Sequence, residues 1–133
     1  MKKIKQEVEQ YMTGLASEGQ TLTSRFVFPE EFVGFQGHFP EKKILPGVCQ
    51  IQCVLTTLEK ANKRAVILTE IVTAKYLTPV VPGDEVVCTC GGLQEQEKDG
   101  EFLVKALIGK GDTKVSEFKL RLRFAAGGNG QRT

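Results

Sequence analysis

Tryptophan is absent from the 133-residue chain, histidine occurs once, and the charges nearly cancel, with 18 basic against 16 acidic side chains. A single histidine excludes, within one chain, three-histidine zinc sites and the HExxH helix of metalloproteases. Any metal would have to rest on carboxylates or on the four cysteines, which fall as Cys49 with Cys53 (CxxxC) and Cys88 with Cys90 (CxC), not as the CxxC pairs of common zinc sites. No metal and no cofactor is therefore expected. The opening MKKIKQEVEQ lacks the apolar segment of a secretory signal, so the cysteines read as reduced small hydrophobes in a cytoplasmic protein. No apolar run reaches the roughly 18 residues of a membrane span. The net charge of +2 leaves no basic field for nucleic acid.

What is present is ordinary globular material, 41% hydrophobic and 26% charged, enough for one domain, taken as residues 1–124. Ile4, Val8, Tyr11, Met12 and Leu15 recur at helical spacing, which predicts an amphipathic helix over 1–15 that caps the core. Thr21 to Phe28 alternates as a strand. Residues 29–47 form a loop rich in Gly, Pro and Phe, of the kind that is ordered and functional. Val48, Ile51, Val54, Leu55 and Leu58 then share an arc of about 120° on a helix that starts at Pro46 or Gly47 and runs to about Asn62. Four strands follow, over 65–78, 85–94, 101–110 and 114–124, read as a meander. Residues 125–133 lack periodicity and are expected to be a disordered tail. One long helix among five or more strands makes an α+β domain whose sheet must wrap the helix.

Three stretches are more specific: Phe35-Gln36-Gly37-His38-Phe39-Pro40, then Pro46-Gly47-Val48 opening the helix, then Ala74-Lys75-Tyr76-Leu77-Thr78-Pro79-Val80-Val81-Pro82-Gly83-Asp84. Together they resemble the beta-hydroxyacyl-acyl carrier protein dehydratases of fatty-acid synthesis over roughly residues 20 to 124. The wording ILPGVCQI is similar to that of smaller relatives from specialised lipid or aryl-polyene pathways, and the His-Arg-Tyr-Pro-like opening of the housekeeping enzymes is missing. The resemblance implies a hotdog fold, a curved antiparallel sheet around one long central helix, with a short N-terminal helix added here. It also implies an acyl carrier protein or coenzyme A thioester as substrate, and pairing as a homodimer, a hexamer or a heterodimer with a paralogue.

Dehydrating a 3-hydroxyacyl thioester requires a base for the proton beside the carbonyl, donors for the enolate-like oxygen, and an acid for the departing hydroxide. A neutral imidazole suits the first task, and His38 is the only candidate. Unpaired N–H groups in a helix's first turn suit the second; the resemblance assigns the carbonyl-binding amide to Gly47, with Val48, Phe39 and Pro46 lining the substrate. The third task exposes a departure. The family carries Asp or Glu fourteen residues after the histidine, and that position here is Gln52, which can hydrogen-bond a hydroxyl but not protonate it. Glu59 lies about 10 Å further along the helix, too far for the same proton, and the direction of Glu41 is open. Lys42, Lys43, Lys60, Lys63 and Arg64 offer cations to an acidic carrier. The sequence therefore supports a lyase of the 3-hydroxyacyl-carrier dehydratase type, with a catalytically degenerate acyl-carrier-binding protein, a heterodimer subunit or a hotdog thioesterase as alternatives.

Overall fold

The computed structural model describes residues 2–36, 43–96, 98 and 100–126. Their order is α1 (Lys2–Gln10), β1 (Met12–Glu18), β2 (Thr21–Val27), a short 3-10 turn (Val33–Phe35), α2 (Gly47–Asn62), β3 (Val66–Tyr76), β4 (Glu85–Cys90), β5 (Gln94–Glu95), β6 (Glu101–Lys110) and β7 (Thr113–Phe124). The strands form one antiparallel sheet in the order β1-β2-β4-β6-β7-β3, with β5 paired to β6 off that path. The sheet wraps α2, which is the hotdog arrangement.

Inward positions follow the two-residue period of a half-buried sheet. Phe26 on β2, Val86, Cys88 and Cys90 on β4, Val104 and Ile108 on β6, and Phe118, Leu120 and Leu122 on β7 are all buried. Because α2 is enclosed over most of its circumference, small and weakly polar residues fill it: Cys49, Cys53, Thr56 and Thr57 are buried beside Val54 and Leu58. The buried hydroxyls of α2 are satisfied locally. Thr57 Oγ1 donates to the Cys53 carbonyl at 2.7 Å and sits 2.6 Å from Ser24 Oγ, avoiding the cost of about 1–3 kcal/mol for an unpaired buried polar group. The four cysteines are free and buried.

Two expectations are corrected. The N-terminal helix ends at Gln10, and Met12–Glu18 is a strand rather than helix to residue 15. Apolar residues at 12 and 15 suit either state; the β1–β2 hairpin decides it, turning at Gly19 (φ 62°) and pairing Leu15 with Ser24. Val8 is nonetheless fully buried and Tyr11 stacks edge-on against Phe28 and Phe32, so α1 caps the core as expected. The four later strands are not a simple meander either. β3 lies on the far edge against β7, and the Val81-Pro82-Gly83-Asp84 turn carries the chain across to β4, its Gly83 N–H bonding to the Phe28 carbonyl at 2.9 Å. The tail expected to be disordered lies outside the described residues from 127 onward. Among the described residues no helix is long and apolar enough to cross a membrane.

Candidate active site at the amino end of the central helix

His38 and Phe39, with Glu41 and Lys42, lie outside the described residues. The chain on either side of them is firmly seated. Before them Phe35 is buried and meets Phe32 edge-on at 5.5 Å, and Phe32 in turn packs on Phe28 at 4.6 Å. Gly34 has no room for a side chain, since a Cβ there would lie 2.8 Å from Cys49 Sγ. After them Leu45 is buried, its N–H bonds to the Val80 carbonyl at 2.8 Å, and its own carbonyl accepts from Gln50 Nε2 at 3.3 Å.

That bond to Val80 gives the Pro79–Asp84 stretch a positional role. Asp84 Oδ2 accepts from the Val81 N–H at 3.0 Å and from Lys110 Nζ at 2.9 Å, while Lys110 also donates to the Pro79 carbonyl at 2.9 Å. The Val81 N–H, then Lys110, hold the Asp84 carboxyl below its ordinary value. The motif is thus a clamp that fixes the segment leading into α2.

Pro46 is the N-cap of α2 in extended conformation (φ −64°, ψ 153°), and among the described residues no side chain caps the helix. Its first-turn donors therefore keep the partial positive charge of a helix amino terminus. Gly47 opens the helix directly beneath Tyr76: a Cβ at Gly47 would lie 2.5 Å from the Tyr76 hydroxyl oxygen. Val48, assigned by periodicity to the buried arc, is instead 47% exposed. The first turn of α2 emerges beside Ile44, Tyr76, Leu77 and Val81, which are also exposed apolar side chains. An apolar rim around uncapped donors suits an acyl thioester better than water.

Gln52 lies one turn beyond Val48 on the same face, half-buried, with Nε2 donating to Thr56 Oγ1 at 3.0 Å. Glu59 is removed from any role at this end, because its carboxylate accepts from the Val66 N–H at 2.8 Å and from Lys5 Nζ at 3.2 Å. The cations grouped by sequence also separate: Lys43 precedes the amino end of α2, while Lys60, Lys63 and Arg64 sit at its carboxyl end. Cys49, in the first turn, is no nucleophile, since burial pushes its thiol up to about 11. An open groove of about 620 Å³ at the carboxyl end, bordered by Leu15, Leu22, Leu58 and Leu93, contains Lys60 as its one charged side chain, and Lys60 pairs with Glu9 at 3.6 Å. Among the described residues no cluster of His, Cys, Asp and Glu could hold a metal ion.

Two residues of this end escaped the sequence reading. Gln50 is 4% exposed and its Oε1 has no hydrogen-bond partner among the described residues; at 100° per residue it falls about 40° beyond the Val54 edge of the apolar arc, so periodicity left it outside the core. Tyr76 was visible only as part of a motif, because nothing in the linear sequence brings it to Gly47.

Known proteins match the same segment. The model of the ApeI-like family, described as ApeI dehydratase, matches residues 15–118. A 3-hydroxyacyl-[acyl-carrier-protein] dehydratase FabZ from Ehrlichia chaffeensis is 31% identical over 91 residues, covering 65% of this chain and 62% of that protein. The chain thus spans about three-fifths of the length of such curated relatives. Among solved structures, the dehydratase heterocomplex ApeI:P from Xenorhabdus doucetiae superimposes with a TM-score of 0.69 at 22% identity, covering 84% of this chain and 96% of that one. A mutant of the fluoroacetyl-CoA-specific thioesterase FlK superimposes with a TM-score of 0.65 at 14% identity, covering 83% and 88%. These two structures share the fold, and the match across residues 15–118 carries the assignment: the chain belongs to the ApeI-like dehydratase family.

Proposed function

We propose that this chain dehydrates (3R)-3-hydroxyacyl thioesters borne on acyl carrier protein or coenzyme A, at the amino end of α2. The observation that carries this reading is a sixteen-residue helix that opens with a glycine and whose first turn meets no side-chain cap among the described residues, in a chain of the dehydratase family. The Gly47 N–H receives the thioester carbonyl. His38 takes the proton from the carbon beside it, and the electron pair delocalises onto the carbonyl oxygen. The carbon–oxygen bond at position 3 then breaks, and the imidazolium returns its proton to the departing hydroxide, giving water and the enoyl thioester. Gln52 orients the hydroxyl. Val48, Pro46 and Phe39 line the acyl group, and the carrier approaches from the Lys43 side, away from Lys60, Lys63 and Arg64.

A second chain completes this site in the same reading. β3 is an eleven-residue edge strand exposing Ile67 and Ile71, continuous with Tyr76 and the rim of α2. Such an edge pairs readily with another strand. A homodimer would place Gln52 in both sites; a paralogue, as in the heterocomplex of the Xenorhabdus relative, would supply a carboxylate to one.

The test is turnover of a 3-hydroxyacyl-carrier thioester, followed as enoyl thioester and as free thiol in parallel. Enoyl formation that disappears in His38→Ala supports the reading. Thiol release without enoyl product would make the protein a thioesterase. Neither product, in the native chain or in Gln52→Glu, would leave a binding subunit.

A further inference from the structure

We propose that the Tyr76 hydroxyl donates a hydrogen bond to the thioester carbonyl oxygen beside the Gly47 amide, forming the second half of an oxyanion hole. The inference rests on the dehydratase reading above and adds a substrate-contacting residue to it.

The placement comes from the missing side chain of Gly47. A Cβ built there would lie 2.5 Å from the Tyr76 oxygen and 2.6 Å from its Cζ. The hydroxyl therefore stands against Gly47, the opening residue of α2. The side chain is delivered by rigid structure. Tyr76 is the last residue of β3, paired with Ser116 on β7, and its ring meets Phe118 edge-on at 5.6 Å. Immediately beyond it, the Leu77 and Thr78 N–H groups both bond to the Val115 carbonyl, at 2.8 and 3.2 Å, and end the strand. The tyrosine is 50% exposed although its ring packs against Phe118.

The chemistry fits the need. Negative charge grows on the carbonyl oxygen as the proton leaves the neighbouring carbon, and fixed donors aimed at that oxygen lower the barrier. Partial burial raises the phenol above its ordinary value, so it remains a protonated donor throughout the neutral range. No proton changes hands at Tyr76. Glycine at 47 then has a reason beyond helix initiation: any side chain would displace the hydroxyl from the helix end.

Tyr76→Phe keeps the ring over Gly47 and against Phe118 and removes only the hydroxyl. The expected result is a fall in kcat of about 100-fold, with KM and melting temperature little changed. A second measurement does not depend on turnover: the infrared carbonyl stretch of a ¹³C-labelled enoyl-pantetheine thioester bound to the protein. It should move to higher frequency in Tyr76→Phe, because a hydrogen bond is lost. Unchanged kcat and an unchanged stretch would overturn the proposal. A stretch that depends on Tyr76 in a protein without turnover would uphold the contact and overturn the dehydratase reading. Absence of both turnover and a bound thioester would overturn both.

Discussion

At its carboxyl end α2 is closed by its own and its neighbours' side chains. The Glu59 carboxylate bridges the Val66 N–H and Lys5, Asn62 Nδ2 returns to the Leu58 carbonyl at 2.8 Å, Lys63 turns the chain in left-handed conformation with its N–H on the Glu59 carbonyl at 2.7 Å, and Arg64 lies over the Phe124 ring. At its amino end the Gln50 side chain bonds back to the Leu45 carbonyl, but among the described residues no side chain caps the first-turn donors, and Ile44, Val48, Tyr76 and Leu77 are exposed around it. One helix is therefore finished at one end and left open at the other. Uncapped donors beside exposed apolar surface reduce stability, and proteins keep such features where a ligand or partner completes them. The polar chemistry of the carboxyl end is structural, although its charges stand out more in the sequence.

This contrast can be sharpened by giving the open end what it lacks. Gln52→Glu supplies a carboxyl group that can accept from Thr56 in place of the present bond, and dehydration should rise by about 100-fold, the lower range for restoring a general acid; a steady-state assay reads it. The closed end should respond in stability alone. Glu59→Ala removes the acceptor of Val66 N–H and Lys5 and should cost about 2–3 kcal/mol, seen as a lower melting temperature with unaltered kcat per folded molecule.

The Asp84 clamp joins the two behaviours, because it is structural yet seats the segment entering the open end. Its carboxyl is depressed in the folded state, so its contribution is fully present above the unfolded value of about 4 and is lost as pH falls through the folded value. Asp84→Asn should therefore lower the melting temperature at pH 7, and the gap to the native protein should narrow as pH falls below about 4 in thermal scans. The smallest effect belongs to the closed end: Lys63, at φ 55°, should gain about 0.5–1 kcal/mol as Lys63→Gly, measured by denaturant unfolding, again without a change in turnover.

The elements legible in the sequence were those with one dominant signal. Pro46-Gly47 before an apolar arc announced α2, and β-branched runs between turn residues announced β3, β4, β6 and β7. The β1 strand was hidden because Met12 and Leu15 fit helical spacing, and only pairing with β2 decides between the two. The edge position of β3 depends on a crossover that local signals do not encode. At the candidate site, Gly47 and Pro46 were visible from motif and helix chemistry together. Val48 read as core because periodicity assigns a face, not how far the first turn projects from the sheet. Tyr76 stands 29 residues from Gly47, so their contact exists only once α2 and β3 have packed.

The most direct test of the asymmetry is backbone amide NMR during titration with a 3-hydroxyacyl-pantetheine thioester. The amides of Gly47, Val48 and Tyr76 should shift in a saturable manner while those of Asn62, Lys63 and Arg64 stay in place. Shifts confined to the carboxyl end, or spread equally over both ends, would contradict the account.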